Sequence, residues 1–339
     1  MTCLKEINLL NKKILYIGPA SFHYDKYLVK KIIDLGADVL TYDLDNLKAP
    51  INLYSRVINK LNPQNREIEK EVYKNNFYNK ILSAKGFDFV LVRQGYQIEE
   101  EFILELRKVN PNAKFINFQW DSIRPEYDYS HIIKHFDTVY SFDHKDCETY
   151  EELTYLPLFY LDIYEQFRKN NLANFKEKKN DILFIGSWRN IERYNLIKLT
   201  ENLCEEAQLR FYYYLHSSFK NQYYSIKKGI IPKKARSKKL SHKEILDLFA
   251  TTNTIIDFPS SFQTGLTIRT FETLGAGKKL ITTNKNIVNE PFYNPEYINI
   301  IDTDNFTLNT DFIKNTPSNS IEENIKDYSI GSYVKKLFQ

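Results

Sequence analysis

Residues 12–44, KKILYIGPASFHYDKYLVKKIIDLGADVLTYDL, set the architecture of the chain. The stretch begins with an apolar run that is typical of a buried strand and ends in glycine. It continues through the polar turn PASFHYD and then places apolar residues at helical spacing. DVLTYDL reads as a second strand. A strand, a helix and a strand in this order form a βαβ unit, whose right-handed crossover makes the strands parallel.

The same alternation continues through the first half of the chain. Further strands are predicted at residues 87–93, 114–120 and 137–143, each preceded by a plausible helix. We therefore expect the first half to form one doubly wound domain.

The pattern restarts after the polar stretch RKNNLANFKEKKN, residues 168–180. DILFIGSW, residues 181–188, reads as a new first strand, and strands and helices then alternate up to KKLITTN, residues 278–284. The fold class predicted is α/β, with two Rossmann-like, doubly wound parallel-sheet domains. Because such folds bind ligands at the carboxyl ends of their strands, we expect the domains to face each other across a cleft.

The expected domains are residues 1–165 and 166–320. The tail, residues 321–339, is predicted to form a helix that packs across the domain junction. A chain of 339 residues is long enough for two domains of ordinary size.

Composition narrows the class of protein. Hydrophobic residues make up 42% of the chain, with 25 Tyr and 23 Phe, which indicates a folded globular protein. The three cysteines are far apart and predict neither a disulfide framework nor a zinc site, so a reducing cytoplasm fits best. We find neither a secretory signal nor an apolar run of about 18 residues, the length that a membrane span needs.

Positive charge is concentrated in one segment. Residues 207–243 contain ten Lys or Arg and no acid, although the net charge of the chain is only +4. Its most basic part runs from Lys227 to Lys239. This part is open to three interpretations, which are peripheral contact with anionic lipid at the inner membrane, nucleic-acid binding, and a solvated loop. No zinc or helix-turn-helix pattern accompanies it, so we do not expect nucleic acid as a partner.

The segment QTGLTIRTFETLGAGKKLITTN, residues 263–284, predicts a binding site for an anionic ligand. A helix beginning at Thr267 would present unpaired amides and the positive end of its dipole, beside the polar lead-in that contains Thr264. Gly265 would let the backbone approach a phosphate, and Arg269 would neutralise a departing diphosphate. Glu272, about 7.5 Å further along the helix axis, is suitably placed for ribose hydroxyls. The alternative is an ordinary core helix with a surface Arg–Glu pair.

ETLGAG, residues 272–277, resembles the EAxxxG segment of GT-B glycosyltransferases, in which the glutamate contacts the ribose of the donor. Together with FIGSWRNIERYNLI and SFDHKDCETYEELTYLPLFY, the segment resembles bacterial lipopolysaccharide and capsular polysaccharide glycosyltransferases of a CgeB-like group. The resemblance implies a GT-B fold and a nucleotide-sugar donor. Retaining families have another glutamate eight positions before the first, where this chain has Thr264, so the stereochemistry stays open.

A second candidate donor site is GSWRNIER, residues 186–193, at the first strand-to-helix turn of the second half. Gly186 and Ser187 can present amides to an anion. Arg189 and Arg193 are four residues apart and could share a helix face. Since this turn meets the donor diphosphate in GT-B enzymes, the resemblance favours Arg189.

The first half offers candidates for a catalytic base. Inverting sugar transfer needs a group that removes the proton of the acceptor hydroxyl. Asp121, after Trp120 at a strand end, and His23, in the first turn, are predicted for this role, with His144 as a weaker candidate. A helix cap or a structural hydrogen bond would explain the same residues.

DxD tripeptides, in which two aspartates could hold a metal ion on a diphosphate, occur at residues 43–45 and 302–304. They arise easily by chance, and Arg269 already supplies positive charge, so we predict neither a metal nor another cofactor.

The sequence thus predicts a glycosyltransferase that moves a sugar from a nucleotide-sugar donor to a saccharide or lipid-linked acceptor in bacterial surface polysaccharide synthesis. The alternatives are an epimerase on the same scaffold and a non-catalytic polyanion-binding module.

Overall fold

The computed structural model of the protein describes residues 7–19, 23–47, 63–168, 178–188, 190–219, 221–223, 234–260 and 262–339, without the side chains of residues 23 and 63–66. The chain divides into two compact units. The first unit comprises Met1–Pro157 with Tyr333–Gln339, and the second comprises Leu158–Ser332.

The described part of the first unit contains a sheet of six parallel strands in the order β2-β1-β3-β4-β5-β6. The strands are β1 Lys13–Gly18, β2 Asp38–Asp43, β3 Phe89–Arg93, β4 Lys114–Phe118, β5 Thr138–Ser141 and β6 Leu153–Tyr155. The α-helices are α1 His23–Asp34, α2 Pro63–Leu82, α3 Glu100–Val109 and α4 His144–Thr149.

The core of the first unit lies around its central strands. Val90, Leu91 and Val92 of β3 have no exposed surface. Such a continuous apolar run is expected for a parallel strand that is covered on both faces. The helix α3 adds a further apolar stripe, because Phe102 and Leu106 lie one turn apart and are both buried.

The last residues of the chain complete the first unit. The ring of Phe338 packs edge-on against Phe89 of β3, with 5.0 Å between ring centroids. The hydroxyl of Tyr140 donates to the carbonyl of Lys336 at 3.1 Å. Trp120 Nε1 donates to the hydroxyl of Tyr333 at 3.1 Å. The C-terminal residues are therefore fixed by both packing and hydrogen bonds.

In the described part of the second unit the sheet also has six parallel strands, in the order β12-β11-β10-β7-β8-β9. The strands are β7 Asn180–Ser187, β8 Phe211–His216, β9 Ala235–Arg236, β10 Thr252–Asp257, β11 Lys279–Thr282 and β12 Ile298–Ile300. The α-helices are α5 Ile191–Glu206, α6 His242–Ala250, α7 Ile268–Gly275, α8 Thr310–Lys314, α9 Glu322–Ile325 and α10 Ile330–Leu337, the last of which ends in the first unit.

The core of the second unit packs α5 against the central strands. Ile182 and Phe184 of β7, Ile197 of α5 and Ile256 of β10 belong to one buried cluster. Every residue of β10 is buried, as is every residue of β11. These strands therefore fix the positions of the loops that leave their carboxyl ends.

The predicted fold class is confirmed, because both halves are Rossmann-like α/β units with parallel sheets. The short strands β9 and β12 were not predicted. The tail forms α9, a 3-10 turn at Lys326–Tyr328 and α10 in place of a single helix. Among the helices described, none is both long and apolar enough to cross a membrane.

Candidate functional site

The two sheets each have a point at which the strand order reverses. In the second unit β7 and β10 are neighbours, but the chain continues from β7 towards β9 and from β10 towards β12. In the first unit the same reversal separates β1 from β3. Loops that leave the carboxyl ends of two such strands diverge and open a crevice, which is where doubly wound folds bind their ligands.

The crevice of the second unit has a volume of about 630 Å³. Its walls come from the turn after β7, the start of α5, and the loops after β10, β11 and β12. The residues that line it are Asn190, Glu192, Arg193, Asn195, Leu196, Phe258, Pro259, Ser260, Gln263, Thr264, Thr283, Asn284, Lys285, Asn286 and Thr303. Most of these side chains are neutral hydrogen-bonding groups, which suits a polar ligand.

Arg193 connects the two sides of this crevice. Its Nη1 donates to the carbonyl of Ser187 at 3.3 Å, at the end of β7, and its Nη2 donates to the carbonyl of Phe258, just after β10. Asn190 caps α5 by accepting a hydrogen bond from the Arg193 amide. The sequence favoured Arg189 over Arg193, but Arg189 lies outside the described residues. Among the described residues, Arg193 is therefore the arginine that lines the crevice.

Gly186 has a packing reason to be glycine. A Cβ atom at this position would lie 2.6 Å from Cζ of Phe184 in the core. Ser187 is exposed at the end of β7. The proposed contact of these two residues with a phosphate stays a prediction.

The loop between β10 and α7 is held by side-chain amides. Asn284 Nδ2 donates to the carbonyls of Thr264 at 3.1 Å and of Gly265 at 3.2 Å. Asn286 also donates to the Thr264 carbonyl, at 3.2 Å, and Gln263 donates to the Gly265 carbonyl, at 3.1 Å. Because each carbonyl accepts from side chains within the unit, the path of this loop is fixed. Of the residues predicted in this segment, Thr264 reaches the crevice.

The helix α7 begins where the sequence predicts. Thr267 is its N-cap, and the Thr267 hydroxyl accepts from the amide of Thr270 and donates to the carboxylate of Asp257 at the end of β10. The first amides of an α-helix have no carbonyl partner one turn earlier in the helix, but here the amide of Thr270 is already bound by the Thr267 cap. The binding of an anion at this end of α7 stays a prediction.

Arg269 and Glu272 form an ion pair inside the unit, not on its surface. Arg269 Nη1 lies 2.6 Å from Glu272 Oε2, and the side chains are 14% and 0% exposed. The guanidinium also lies over the ring of Phe249 on α6, 5.5 Å from its centroid. Neither residue lines the crevice of 630 Å³. Their predicted contacts with diphosphate and ribose stay predictions.

At the reversal point of the first unit lies another buried ion pair. Arg93, at the end of β3, donates to both carboxylate oxygens of Asp25 on α1, and its Nη2 also donates to the carbonyl of Pro19. The Tyr16 hydroxyl donates to the same carboxylate, and the Trp120 ring covers the guanidinium at 4.6 Å. Burial raises the pKa of the Asp25 carboxyl, and the charge of Arg93 partly offsets that rise.

Asp121 lies in the loop after β4, half-buried, and its carboxylate accepts a hydrogen bond from Gln94 Nε2 at 3.0 Å. The next residues of the loop are anchored by two buried acids, since Ser122 donates to Asp143 and the amide of Ile123 donates to Asp146. Burial raises the pKa of Asp146 to about 6. Sequence reasoning missed both acids, although they flank His144 in the motif that it quoted.

The two histidines that the sequence offered as candidate bases, His23 and His144, have different outcomes. The side chain of His23 lies outside the described residues, so its role as a base stays a prediction. The ring of His144 stacks on Tyr155, with 3.9 Å between centroids. This stacking contact indicates a structural role for His144 in the first unit.

The two DxD tripeptides form turns. The amide of Asp45 donates to Asp43 Oδ1 at 2.9 Å, and the amide of Asp304 donates to Asp302 Oδ1 at 3.0 Å. Each first aspartate therefore uses a carboxylate oxygen to close its own backbone turn. Within the described ranges, no group of three or more His, Cys, Asp or Glu residues could hold a metal ion.

Part of the basic segment, residues 227–233, lies outside the described residues. In the rest, Lys234 pairs with Glu201 at 2.7 Å and Lys238 pairs with Glu244 at 3.2 Å. The guanidinium of Arg236 lies over the ring of Tyr214 at 4.9 Å. These cations are thus engaged within the second unit, and contact with a membrane stays a prediction.

Neither a protein-family model nor a curated protein matches the sequence. Solved structures, however, are similar to this chain. A glycosyltransferase from Rickettsia africae ESF-5 has a TM-score of 0.54 and 13% identity over 97% of both chains. An alpha-glucosyltransferase in complex with UDP and a 13-mer DNA has a TM-score of 0.56 and 12% identity over 97% of this chain and 96% of that one.

A UDP-GlcNAc 2-epimerase from Neisseria meningitidis bound to UDP-GlcNAc is also similar. Its TM-score is 0.51 and its identity 12%, over 96% of this chain and 98% of that one. The chain has the GT-B fold. At these identities the likeness establishes the fold alone, and both transferases and epimerases share it.

Proposed function

We propose that the protein is a glycosyltransferase that binds a nucleotide-sugar donor in its second unit. The crevice where β7 and β10 diverge, with the start of α7 beside it, is the observation that carries this proposal. The loop that leads into α7 is fixed by three amide side chains, and Arg269 is the cation of the first helical turn. UDP in the similar alpha-glucosyltransferase supports a nucleoside diphosphate as the ligand.

In the proposed reaction the bond between the anomeric carbon and the diphosphate oxygen breaks, and a bond to the acceptor oxygen forms. The nucleoside diphosphate leaves with the electron pair, and its new negative charge is stabilised by the amides at the start of α7 and by Arg269. A base takes the proton of the acceptor hydroxyl. The first unit binds the acceptor and supplies this base, for which Asp121 and His23 are the candidates.

The finer proposal is a saccharide or lipid-linked acceptor in the synthesis of a bacterial surface polysaccharide, capsule or lipopolysaccharide, in the cytoplasm. It rests on the resemblance of three segments to that group of enzymes. Peripheral contact with the membrane through the segment from Lys227 to Lys239 belongs to the same proposal.

Epimerisation of a nucleotide sugar is the second candidate function. The observation in its favour is the similar epimerase, which is bound to UDP-GlcNAc. Such a reaction would use the same donor crevice and would need no acceptor.

A thermal-shift screen against UDP-, GDP-, CMP- and dTDP-sugars tests donor binding. A ligand at 100 times its dissociation constant stabilises the folded protein by about 2.7 kcal/mol, which gives a measurable shift. The absence of any shift would remove both nucleotide-sugar functions. Affinity that depends steeply on salt, without selectivity among the nucleotides, would favour polyanion binding.

Product analysis then separates the two enzymes. The reaction is run in heavy water without an acceptor. An epimerase that removes and returns a proton at a carbon next to a carbonyl or to the anomeric carbon would replace that sugar hydrogen by deuterium. It would also form a second, epimeric sugar. A transferase would leave the sugar unchanged apart from slow release of the nucleoside diphosphate. NMR spectra of the recovered nucleotide sugar distinguish these results.

A further inference from the structure

The carboxylate of Glu272 has no exposed surface. Glu272 lies in the second turn of α7, where both of its oxygens accept hydrogen bonds. Oε1 accepts from the hydroxyl of Tyr164 at 2.7 Å, and Oε2 accepts from Arg269 Nη1 at 2.6 Å. A ribose hydroxyl could reach either oxygen only if a neighbouring side chain moved away.

The neighbour that covers Oε1 is itself firmly packed. Tyr164 is 0% exposed and belongs to the 3-10 turn Asp162–Phe167. Its ring packs edge-on against Phe249 at 5.1 Å and lies 6.0 Å from the ring of His242. Displacing Tyr164 would expose a large aromatic side chain, which costs about 2 kcal/mol or more.

Two further contacts hold the chain around this turn against α7. Arg168 Nε donates to the carbonyl of Gly275 at 2.7 Å. Tyr160 packs so closely on Gly275 that a Cβ atom there would lie 2.4 Å from Cγ of the ring. Residues 160, 164 and 168 thus contact α7 at two positions, Glu272 and Gly275, and the cover over Glu272 is part of a fixed surface.

The burial of the ion pair between Arg269 and Glu272 indicates another role for the Glu272 carboxylate. A buried charge is tolerated only when it is paired and hydrogen-bonded, and losing one partner leaves the other uncompensated. Glu272 is completely buried, whereas 14% of the Arg269 side chain is exposed. Of the two charges, the guanidinium is therefore the one with exposed surface, although it does not line the crevice of 630 Å³.

Building on the proposed function, we propose that Glu272 and Tyr164 are positioning residues that hold the guanidinium of Arg269 towards the donor, and that Glu272 does not bind the ribose. This assignment differs from the role that the resemblance implies for the glutamate. It explains why a tyrosine from the start of the unit and a glutamate of α7 share one buried hydrogen bond.

The first test compares UDP with 2′,3′-dideoxy-UDP, which lacks both ribose hydroxyls, by isothermal titration calorimetry. We expect Glu272→Gln to weaken the binding of both nucleotides by the same factor, about tenfold, the usual size of a lost charged hydrogen bond. The ratio of the two affinities should stay within about twofold of the wild-type ratio. If Glu272 bound the ribose, the ratio would fall to about 1 and the affinity for the dideoxy nucleotide would not change.

The second test is a double-mutant cycle on UDP affinity. Removing Arg269 with Arg269→Gln should weaken UDP binding, and adding Glu272→Gln to that variant should weaken it no further, because a positioning residue acts only through the group that it positions. Additive losses would overturn the proposal. The double variant replaces both charges by amides, so neither charge is left alone in the core.

Tyr164→Phe removes only the hydroxyl and is expected to weaken UDP binding about threefold to tenfold. Tyr160→Phe is the matched control, because it removes a hydroxyl from the same segment, whose partner is Glu165 at 3.0 Å. UDP affinity of this control should stay within twofold of wild type. Equal losses in both variants would contradict a specific role for Tyr164.

The outcomes also separate this inference from the proposed function. If the wild-type protein binds none of UDP, GDP, CMP and dTDP, the proposed function fails and the inference fails with it. If the wild type binds UDP but Glu272→Gln abolishes discrimination against the dideoxy nucleotide, the function stands and the inference alone is wrong.

Discussion

Gln94 Nε2 donates a hydrogen bond to Asp121 Oδ2 at 3.0 Å, between the ends of the adjacent strands β3 and β4. The backbone of Gln94 has a left-handed φ of 65°, which is uncommon for a residue other than glycine. Asn117 Nδ2 stabilises this conformation by donating to the Gln94 carbonyl at 2.6 Å. Strained backbone at the carboxyl edge of a sheet is often found at functional sites. The position of Asp121 is thus fixed by Gln94 at the end of β3, and the conformation of Gln94 is in turn stabilised by Asn117.

The first prediction concerns Asp121 as the base of the proposed reaction. Asp121→Asn keeps an acceptor for Gln94 but cannot take a proton, so the turnover rate should fall about 10²- to 10⁴-fold, the usual contribution of general base catalysis. UDP affinity should not change, because the proposed donor site lies in the second unit. The rate of UDP release from UDP-sugars, with water as acceptor, measures the first effect. An unchanged rate would exclude Asp121 and leave His23, which His23→Ala tests in the same assay.

The second prediction concerns Gly275. Replacing a helical glycine by alanine normally stabilises a helix by up to about 1 kcal/mol. Here the new Cβ would meet the ring of Tyr160 at 2.4 Å, so we expect Gly275→Ala to destabilise the second unit by about 1–3 kcal/mol. Urea unfolding measures the loss. In a Tyr160→Ala background the same change should cost less or become favourable, and an equal cost in both backgrounds would rule out the contact as the cause.

Gly275 also illustrates what the sequence could and could not predict. Residues 263–284 contain three glycines, and of the pair Gly275 and Gly277 only Gly277 has a left-handed φ, of 65°. Gly275 is helical, and its missing Cβ is required by Tyr160, a residue far away in the chain. A contact between distant residues leaves no periodic signal, so a single sequence could not predict it.

The strands were predictable where burial is continuous. β3, with the sequence FVLVR, is apolar over nearly its whole length. β10, with the sequence TNTIID, is buried throughout but has only two apolar residues, and its β-branched residues mark it as a strand. By contrast, β9 is only Ala235–Arg236 and exists because Ala235 pairs with Leu215 and Arg236 with His216. Two residues in a basic stretch carry no strand pattern. The same limit applies to Asn284 and Asn286, whose place at the crevice depends on the loops that meet there.

The third prediction concerns a buried lysine just before β11. Lys278 is 1% exposed, and its Nζ donates to the carbonyl of Thr252 at 2.6 Å. Burial lowers the pKa of Lys278 to about 7, from 10.5. Between pH 7 and about 10 this lysine is then protonated in the unfolded chain and neutral in the folded one, so its contribution makes the free energy of unfolding rise with pH, by about 1 kcal/mol per pH unit. Burial also lowers the pKa of the adjacent Lys279 to about 7, which adds to the slope of the wild type.

Urea unfolding between pH 7.5 and 9.5 measures this slope. The chain has two tryptophans, so in a Trp120→Phe background the fluorescence of Trp188 reports on the second unit alone. Lys278→Met should reduce the slope by about 1 kcal/mol per pH unit, whereas Lys314→Met, at an exposed position, should leave it unchanged. Equal slopes in the wild type and in Lys278→Met would show that Lys278 stays protonated in the folded protein.

The fourth prediction concerns Asn284, which joins the loop after β11 to the loop before α7. Asn284→Ala removes the donor to the carbonyls of Thr264 and Gly265, so this loop should loosen at a cost of about 1–3 kcal/mol in the free energy of unfolding. Because the loop borders the crevice, UDP affinity should fall about tenfold by calorimetry. Asn324→Ala, at an exposed position on α9, should change neither quantity. A destabilised Asn284→Ala variant that binds UDP as tightly as the wild type would place the nucleotide elsewhere in the second unit.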